Sequence, residues 1–118
     1  MRVAWDNWSL IGRWLGNRRV NREIGYPVYS DPGDIWEVVA EGFCSFKSNE
    51  IKYLYVLPEF RGGFVGCGLV SSVLGSSNEA WAVRANKNSH NLFLRFGFHG
   101  VSCTKNFTLM RREANAQT

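Results

Sequence analysis

Between residues 58 and 69 the chain reads Pro58-Glu59-Phe60-Arg61-Gly62-Gly63-Phe64-Val65-Gly66-Cys67-Gly68-Leu69, a glycine-rich turn behind a Tyr- and Val-rich run and ahead of an apolar stripe. A strand that leads into such a turn and then into a helix aims several backbone N–H groups, and the positive end of the helix dipole, at one spot. That spot suits an anion, and a pyrophosphate in particular. Glycine serves where the backbone must approach the anion closely or take a positive φ, and Arg61 adds a positive charge at the mouth. No Gly-Lys-Ser/Thr follows, so this is not a Walker loop. The spacing also differs from a dinucleotide fingerprint, and no acidic residue ends a following strand. Taken alone, the cluster reads equally well as a structural turn with no ligand.

The elements that must hold this turn follow from periodicity. Trp36-Glu37-Val38-Val39-Ala40 and Phe43-Cys44-Ser45-Phe46-Lys47, separated by Glu41-Gly42, predict a hairpin, and residues 51–57 predict a third strand stopped by Pro58. Leu69, Val70, Val73 and Leu74 form one stripe of a helix that ends near Gly75. Residues 80–85 predict a short strand, and Leu92, Phe93 and Phe96 a second short helix closed by Gly97. Two strand-like runs, 98–104 and 107–110, complete the chain. Upstream, Trp5, Trp8, Ile11, Trp14 and Leu15 recur at helical spacing, with Gly12 and Gly16 each weakening a helix by roughly 1 kcal/mol relative to Ala. Tyr26-Pro27 and Asp31-Pro32-Gly33-Asp34 mark an irregular connector. The order helix, β, β, β, helix, β, helix, β, β is an α/β layout with a mixed sheet.

A chain of 118 residues fits one domain with a single core. Eight Phe, five Trp and four Tyr exclude a disordered chain. No window approaches the ~18 consecutive apolar residues of a membrane helix, and the first residues lack the basic flank and apolar stretch of a signal peptide. The expectation is a cytoplasmic protein without a membrane partner. Cys44, Cys67 and Cys103 are odd in number and far apart, which indicates neither a disulfide framework nor a zinc site, so no metal is expected. Residues 1–22 hold five arginines against Asp6 alone, and this segment carries the whole formal charge of +4. It reads either as a solvated helix face or as a surface for an acidic partner or nucleic acid.

Residues 56–69 resemble the acyl-CoA-binding motif of the GNAT N-acetyltransferase superfamily, Val-x-Pro-Glu-(aromatic)-Arg-Gly-x-Gly-(aliphatic)-Gly-x-x-Leu. Some 30 residues on, Asn86, Ser89, Phe93, Gly97 and Phe98 match the family's second motif in register, with the strand at 80–85 between the two. The resemblance covers residues 51–98 and implies a mixed, mainly antiparallel sheet flanked by helices. It divides the single domain into a shortened helical N-terminal region (1–34), strands (35–57), the CoA pyrophosphate loop and helix (58–78), the second motif (80–98) and C-terminal strands (99–112). It implies an acetyl-CoA-dependent N-acyltransferase, with an amine on a protein lysine or a small molecule as acceptor. The Asn86-to-Arg95 stretch is also similar to a segment of GNAT-like proteins of tailed bacteriophages.

Roles carry over by position. The backbone of Phe60, Arg61, Gly62, Gly63, Phe64, Val65 and Gly66 would hold the pyrophosphate. Val56 would offer its amide to the acyl carbonyl, where a fixed N–H stabilises developing oxyanion charge, and Asn86 and Phe93 would line the pantetheine. Phe64 stands in place of the motif's central glycine. Phe93 replaces the tyrosine that in many members protonates the leaving thiolate, a role phenylalanine cannot fill. These departures fit an alternative in which the fold binds without catalysing. A third alternative is nucleic-acid binding through the Arg/Trp-rich N-terminus. The resemblance also leaves a homodimer open.

For aminolysis of a thioester, Glu41, Glu37 or Glu50 is the candidate base, each equally readable as a solvent-facing strand residue. His90 could supply the missing proton or simply cap its helix, and His99 reads as a strand-surface residue. Tyr53 and Tyr55 share one strand face, as acceptor pocket or as core. Cys67 reads as a thiol activated at a helix N-terminus or as a small packing residue.

Overall fold

Alternation along the middle strands sends two apolar sets to opposite faces of one sheet. The computed structural model, which describes residues 1–114, shows each set covered by its own helices. The strands are β1 (Arg2–Ala4), β2 (Ile35–Val39), β3 (Gly42–Lys47), β4 (Glu50–Val56), β5 (Trp81–Ala85), β6 (His99–Cys103) and β7 (Thr108–Arg112), in the spatial order β1-β2-β3-β4-β5-β7-β6. Every neighbouring pair is antiparallel except β4 and β5, which run parallel. The helices are α1 (Trp8–Ile11), α2 (Arg18–Ile24), α3 (Val65–Leu74) and α4 (His90–Arg95), with a 3-10 turn at Pro58–Phe60. This is the mixed, mainly antiparallel α/β layout that the resemblance implies.

On one face Cys44, Phe46, Ile51 and Val83 pack beneath α3 and Phe93 of α4. On the other, Trp36, Phe43, Tyr53 and Tyr55 pack beneath Ile11, Trp14 and Val20. A bulge divides β4 between the two faces: Ser45 pairs with Tyr53 but Phe46 pairs with Ile51, leaving Lys52 without a β3 partner. The extra residue reverses the alternation. Lys52 then reaches the buried Asp34 at 2.8 Å and Asp31 at 3.2 Å.

The N-terminus differs from the single helix expected over residues 5–15. β1 comes first, Val3 pairing with Trp36, and α1 is one turn long. Backbone explains the interruption: Gly16 has φ +64°, and a Cβ at Gly12 would overlap the Trp8 carbonyl oxygen. Ile11 and Trp14 are buried while Trp8 stays exposed, so the helical spacing marks the buried side of a short helix and turn. α2 has cap signals at both ends: Asn17 Oδ1 accepts from the Val20 N–H at 3.2 Å, and Gly25 closes the helix at φ +99°. Two of the N-terminal arginines are held within the fold, Arg2 by Glu37 and Arg19 by Glu59.

β4 and β5 pair only through Glu50–Ala82 and Ile51–Val83. Beyond Ile51, β4 stays with β3 and β5 stays with β7, so the sheet opens toward Val56 and Asn86. Gly42 pairs with Val56 at this end, where a Cβ would overlap the Tyr55 carbonyl oxygen and lie 3.0 Å from Val56 Cα. Gly42→Ala is therefore predicted to destabilise the fold by about 1–3 kcal/mol, the usual cost of overpacking, read as a lower urea midpoint at unchanged m-value.

Glu37 is buried and held by the N-terminal ammonium at 3.0 Å, Arg2 at 3.4 Å and the Ser72 hydroxyl at 2.8 Å. Burial alone would raise its carboxyl, but these partners bring it below its ordinary 4.5. A depressed folded-state value gives stability that is complete above 4.5 and is lost as pH falls through the folded-state value. Glu37→Gln is predicted to lower stability at neutral pH and to flatten this acid-side loss in urea titrations.

Candidate active site

The parting of β4 and β5 leaves a cleft of about 310 Å³ between the end of β4, the turn after it, α2 and the start of α4. Ladder geometry decides what β4 presents there. The Leu57 N–H donates to the Glu41 carbonyl at 2.8 Å, so those two residues form a bonded pair of the β3–β4 hairpin. In an antiparallel ladder bonded and non-bonded pairs alternate. The next pair, Gly42–Val56, is therefore non-bonded, and the Val56 N–H and C=O turn away from β3 toward the opening. The same alternation turns the amide and carbonyl of Leu54 that way. The strand end thus offers the Val56 N–H and the amide and carbonyl of Leu54 to an extended ligand lying between β4 and β5, while the Val56 carbonyl is taken by Arg61.

The glycine turn borders the same cleft. Two of its amides are already engaged: Phe60 N–H donates to Leu57 O at 2.9 Å and Arg61 N–H to Pro58 O at 3.3 Å. From Gly62, whose φ is +86°, into the first turn of α3 the backbone amides donate to no protein group among the described residues, and Val65, Gly66 and Cys67 have no carbonyl one turn earlier in their helix. Phe64 caps α3 at φ −109°, a conformation open to any residue, and the residue is 89% exposed. The phenylalanine is accommodated because this position does not need positive φ. Gly66 answers a close approach instead: a Cβ there would meet Leu92 at 3.0 Å and Val56 at 3.8 Å. Val65, half-buried, packs against the core under α3.

Asn86, at the end of β5, lines the cleft and shapes its rim. Its Oδ1 accepts from the Asn88 N–H at 2.9 Å and the Ser89 N–H at 3.0 Å, and its carbonyl accepts from the His90 N–H at 3.0 Å. The asparagine therefore builds the turn that starts α4. Phe93 is 1% exposed, its ring 5.3 Å from that of Phe98, so it belongs to the core and not to the cleft wall. His90 starts α4 beside the cleft without lining it.

The carboxylates singled out above lie elsewhere. Glu41 sits at the β2–β3 turn outside the cleft, Glu37 is tied to the N-terminus and Ser72, and Glu50 starts β4 at the end opposite Val56. The carboxylate in the cleft is Glu23 of α2. Its Oε2 lies 2.9 Å from an Arg61 guanidinium nitrogen, while Arg61 Nε donates to the Val56 carbonyl at 2.8 Å. The guanidinium also lies 5.4 Å from the centre of the Tyr55 ring. Arg61, expected at the phosphates, thus points back into the cleft.

Tyr55 has a buried hydroxyl on which no hydrogen bond closes among the described residues, and it stands beside Glu23. Burial, then the neighbouring carboxylate, pushes this phenol up to about 12. Burial would raise Glu23, but the Tyr55 hydroxyl and Arg61 more than offset it and hold the carboxyl below its ordinary value. At neutral pH the cleft therefore holds a carboxylate, a guanidinium and a protonated phenol. Glu23 escaped the sequence pattern because its partners lie far along the chain. The usable signal was the pair of caps, Asn17 and Gly25, around a segment that places Arg19 and Glu23 one turn apart.

No protein-family model matches the sequence, and no curated protein matches it significantly. Among solved structures, Escherichia coli ElaA is similar over 96% of this chain and 97% of that one, at 17% identity and a TM-score of 0.66. A putative acyl-CoA N-acyltransferase from Klebsiella pneumoniae is similar over 98% and 96%, at 11% identity and a TM-score of 0.63. PaiA N-acetyltransferase from Thermoplasma acidophilum, solved in complex with coenzyme A, is similar over 68% of this chain and 59% of its own length, at 18% identity and a TM-score of 0.52. With its parted central strands and its glycine turn leading into a helix, the chain has the GNAT fold.

Proposed function

We propose that the protein is an N-acyltransferase that moves an acetyl group from acetyl-CoA to a primary amine. The observation that carries this is the convergence, in one cleft, of outward-facing backbone on β4 with the open amides of the turn at residues 62–67. The first suits an extended arm with amide groups, and the second suits a diphosphate. The residues present fit the co-substrate. Gly62 gives the turn its positive φ, Gly66 lets α3 approach Leu92 and Val56, and Phe64 turns its ring outward. Bound there, acetyl-CoA supplies an activated acyl carbonyl and a thiolate leaving group.

The chain's own groups divide the remaining work. The Val56 N–H, fixed toward the opening, stabilises negative charge on an acyl oxygen without reorganisation. Glu23, a carboxylate at neutral pH, attracts the amine as its ammonium. The amine attacks once it has lost that proton to solvent, and Glu23 accepts, directly or through water, the acidic proton the nitrogen carries as the C–N bond forms. Neither Phe93 nor any other α4 side chain donates a proton in this scheme. A thiol of ordinary acidity, pKa about 8.5, needs little help to leave near neutrality. A protein lysine as acceptor, a cytoplasmic setting and a bacteriophage source extend the proposal. The source rests on the similarity of the Asn86-to-Arg95 stretch and the setting on composition, while a protein lysine is one acceptor such a source would suit and a small amine fits equally. The described helices include none long and apolar enough to cross a membrane.

A calorimetric titration with acetyl-CoA, beside ATP as a nucleotide control, tests the donor. Saturable binding of acetyl-CoA with a micromolar-range constant, and at least tenfold weaker binding of ATP, is the expected result. No heat with acetyl-CoA at millimolar concentration rejects the proposal. With a responsive amine in a thiol-release assay, Glu23→Gln is predicted to leave acetyl-CoA affinity within about threefold while lowering kcat/KM by about two orders of magnitude. Unchanged turnover would leave the cleft as a binding site without this chemistry.

A further inference from the structure

We propose that Arg61 is a positioning residue, whose guanidinium fixes the Glu23 carboxylate and the end of β4 and does not serve as a phosphate ligand. The exclusion of a phosphate contact rests on the proposed function; the positioning role does not.

The side-chain geometry makes the case. A guanidinium is a planar fork, and here it ties its own loop to β4 and α2 through three contacts. Nε donates to the Val56 carbonyl on β4 at 2.8 Å, a terminal nitrogen meets Glu23 on α2 at 2.9 Å, and the cation lies 5.4 Å from the centre of the Tyr55 ring. Turning to a ligand at the amides of residues 62–67 would break all three contacts. It would also leave the Glu23 carboxylate beside a buried phenol with no cation in contact. One turn back on α2, Arg19 meets Glu59 of the same loop at 2.7 Å. Helix and loop are therefore joined by two ion pairs of opposite polarity, Arg19–Glu59 and Glu23–Arg61. A slip of α2 by one turn would bring Arg19 to Arg61, so the crossed charges specify a single register for Glu23.

The charged and titratable groups facing Glu23 are Tyr55 from β4, Arg61 from the loop and, more weakly, Arg19 from its own helix, itself held by Glu59. Of these, Arg61 is the cation in direct contact. Arg61 fixes which carboxylate oxygen faces the cleft and lowers the pH at which that group takes up a proton. Lysine can replace the charge but not the fork, so it restores the electrostatics and only part of the geometry.

The test uses the full chain with Arg61→Gln and Arg61→Lys, each checked for folding by its urea midpoint. The Glu23 carboxyl titration is followed by carbon NMR without ligand. Donor affinity is measured with acetyl-CoA and with acetyl-pantetheine, which lacks the diphosphate. The positioning role predicts that Glu23 titrates higher in Arg61→Gln and returns toward wild type in Arg61→Lys. It predicts that the affinity ratio of the two donors stays within about twofold of wild type, while kcat for a responsive amine falls more than the acetyl-CoA KM changes. An unshifted Glu23 titration overturns the proposal. So does a loss of about tenfold in acetyl-CoA affinity with acetyl-pantetheine binding unchanged, the signature of a charge-assisted phosphate contact. If wild type binds neither donor, the acyltransferase function fails, and the Glu23 titration alone decides the role of Arg61.

Discussion

Parallel pairing between β4 and β5 extends over only two residue pairs, and the rest of the site depends on that limit. A parallel pair needs a crossover, here the turn at residues 58–64 followed by α3, while each strand keeps a stronger commitment on its other side. β4 is bound along its length to β3, and β5 to β7, so the two strands diverge as the sheet twists. Divergence leaves the backbone of Leu54 and Val56 facing an opening instead of a partner strand. It also lets the glycine turn and the head of α4 approach the same space from one side and α2 from another.

What enters such an opening is decided by charge and by the direction of N–H groups more than by apolar lining. The turn and the first residues of α3 present donors and a positive dipole end, which favour anions. Across the cleft, α2 presents Glu23, held ionised through Arg61 and Tyr55, which favours a cation. The two walls therefore have opposite electrostatic preferences, as the proposed anionic donor and ammonium acceptor require. The bulge at Lys52 contributes from further along the strand. By reversing the alternation it places Tyr53 and Tyr55 on the α2 face while Ile51 stays in the α3 core.

The parts readable in the sequence are those whose physics is local. Two glycines between a strand and a helix with two more in that helix's first turn, and the asparagine whose turn precedes the next helix, act through the backbone of their own neighbourhood, and their spacing survives in the primary structure. The strands from 35 to 56 show their alternation directly. β1 was not visible in the same way, because three residues carry no period and gain their conformation from β2. Glu23 was missed for a related reason. The setting of this carboxylate comes from partners at residues 55 and 61, and nothing near Glu23 in sequence announces them. Glu37, Glu41 and Glu50 lie on the strands and turn that lead up to the cleft, but the sheet carries them to the strand next to its β1 edge, to the β2–β3 turn and to the far end of β4. Phe64 and Phe93, conspicuous as departures from a pattern, resolve differently. The first sits at negative φ with its ring in solvent, and the second fills the core against Phe98.

The central claim is that the opening between β4 and β5 is the donor site, with the turn's amides holding its phosphates. Coenzyme A titrated into uniformly nitrogen-15-labelled protein, followed by amide shifts, tests it most directly. The account predicts that the amides of Leu54, Val56, Gly62, Gly63, Val65 and Gly66 move along one saturable curve while those of β1 and β6 stay in place. Saturable shifts centred elsewhere, with these six amides unmoved, would contradict it.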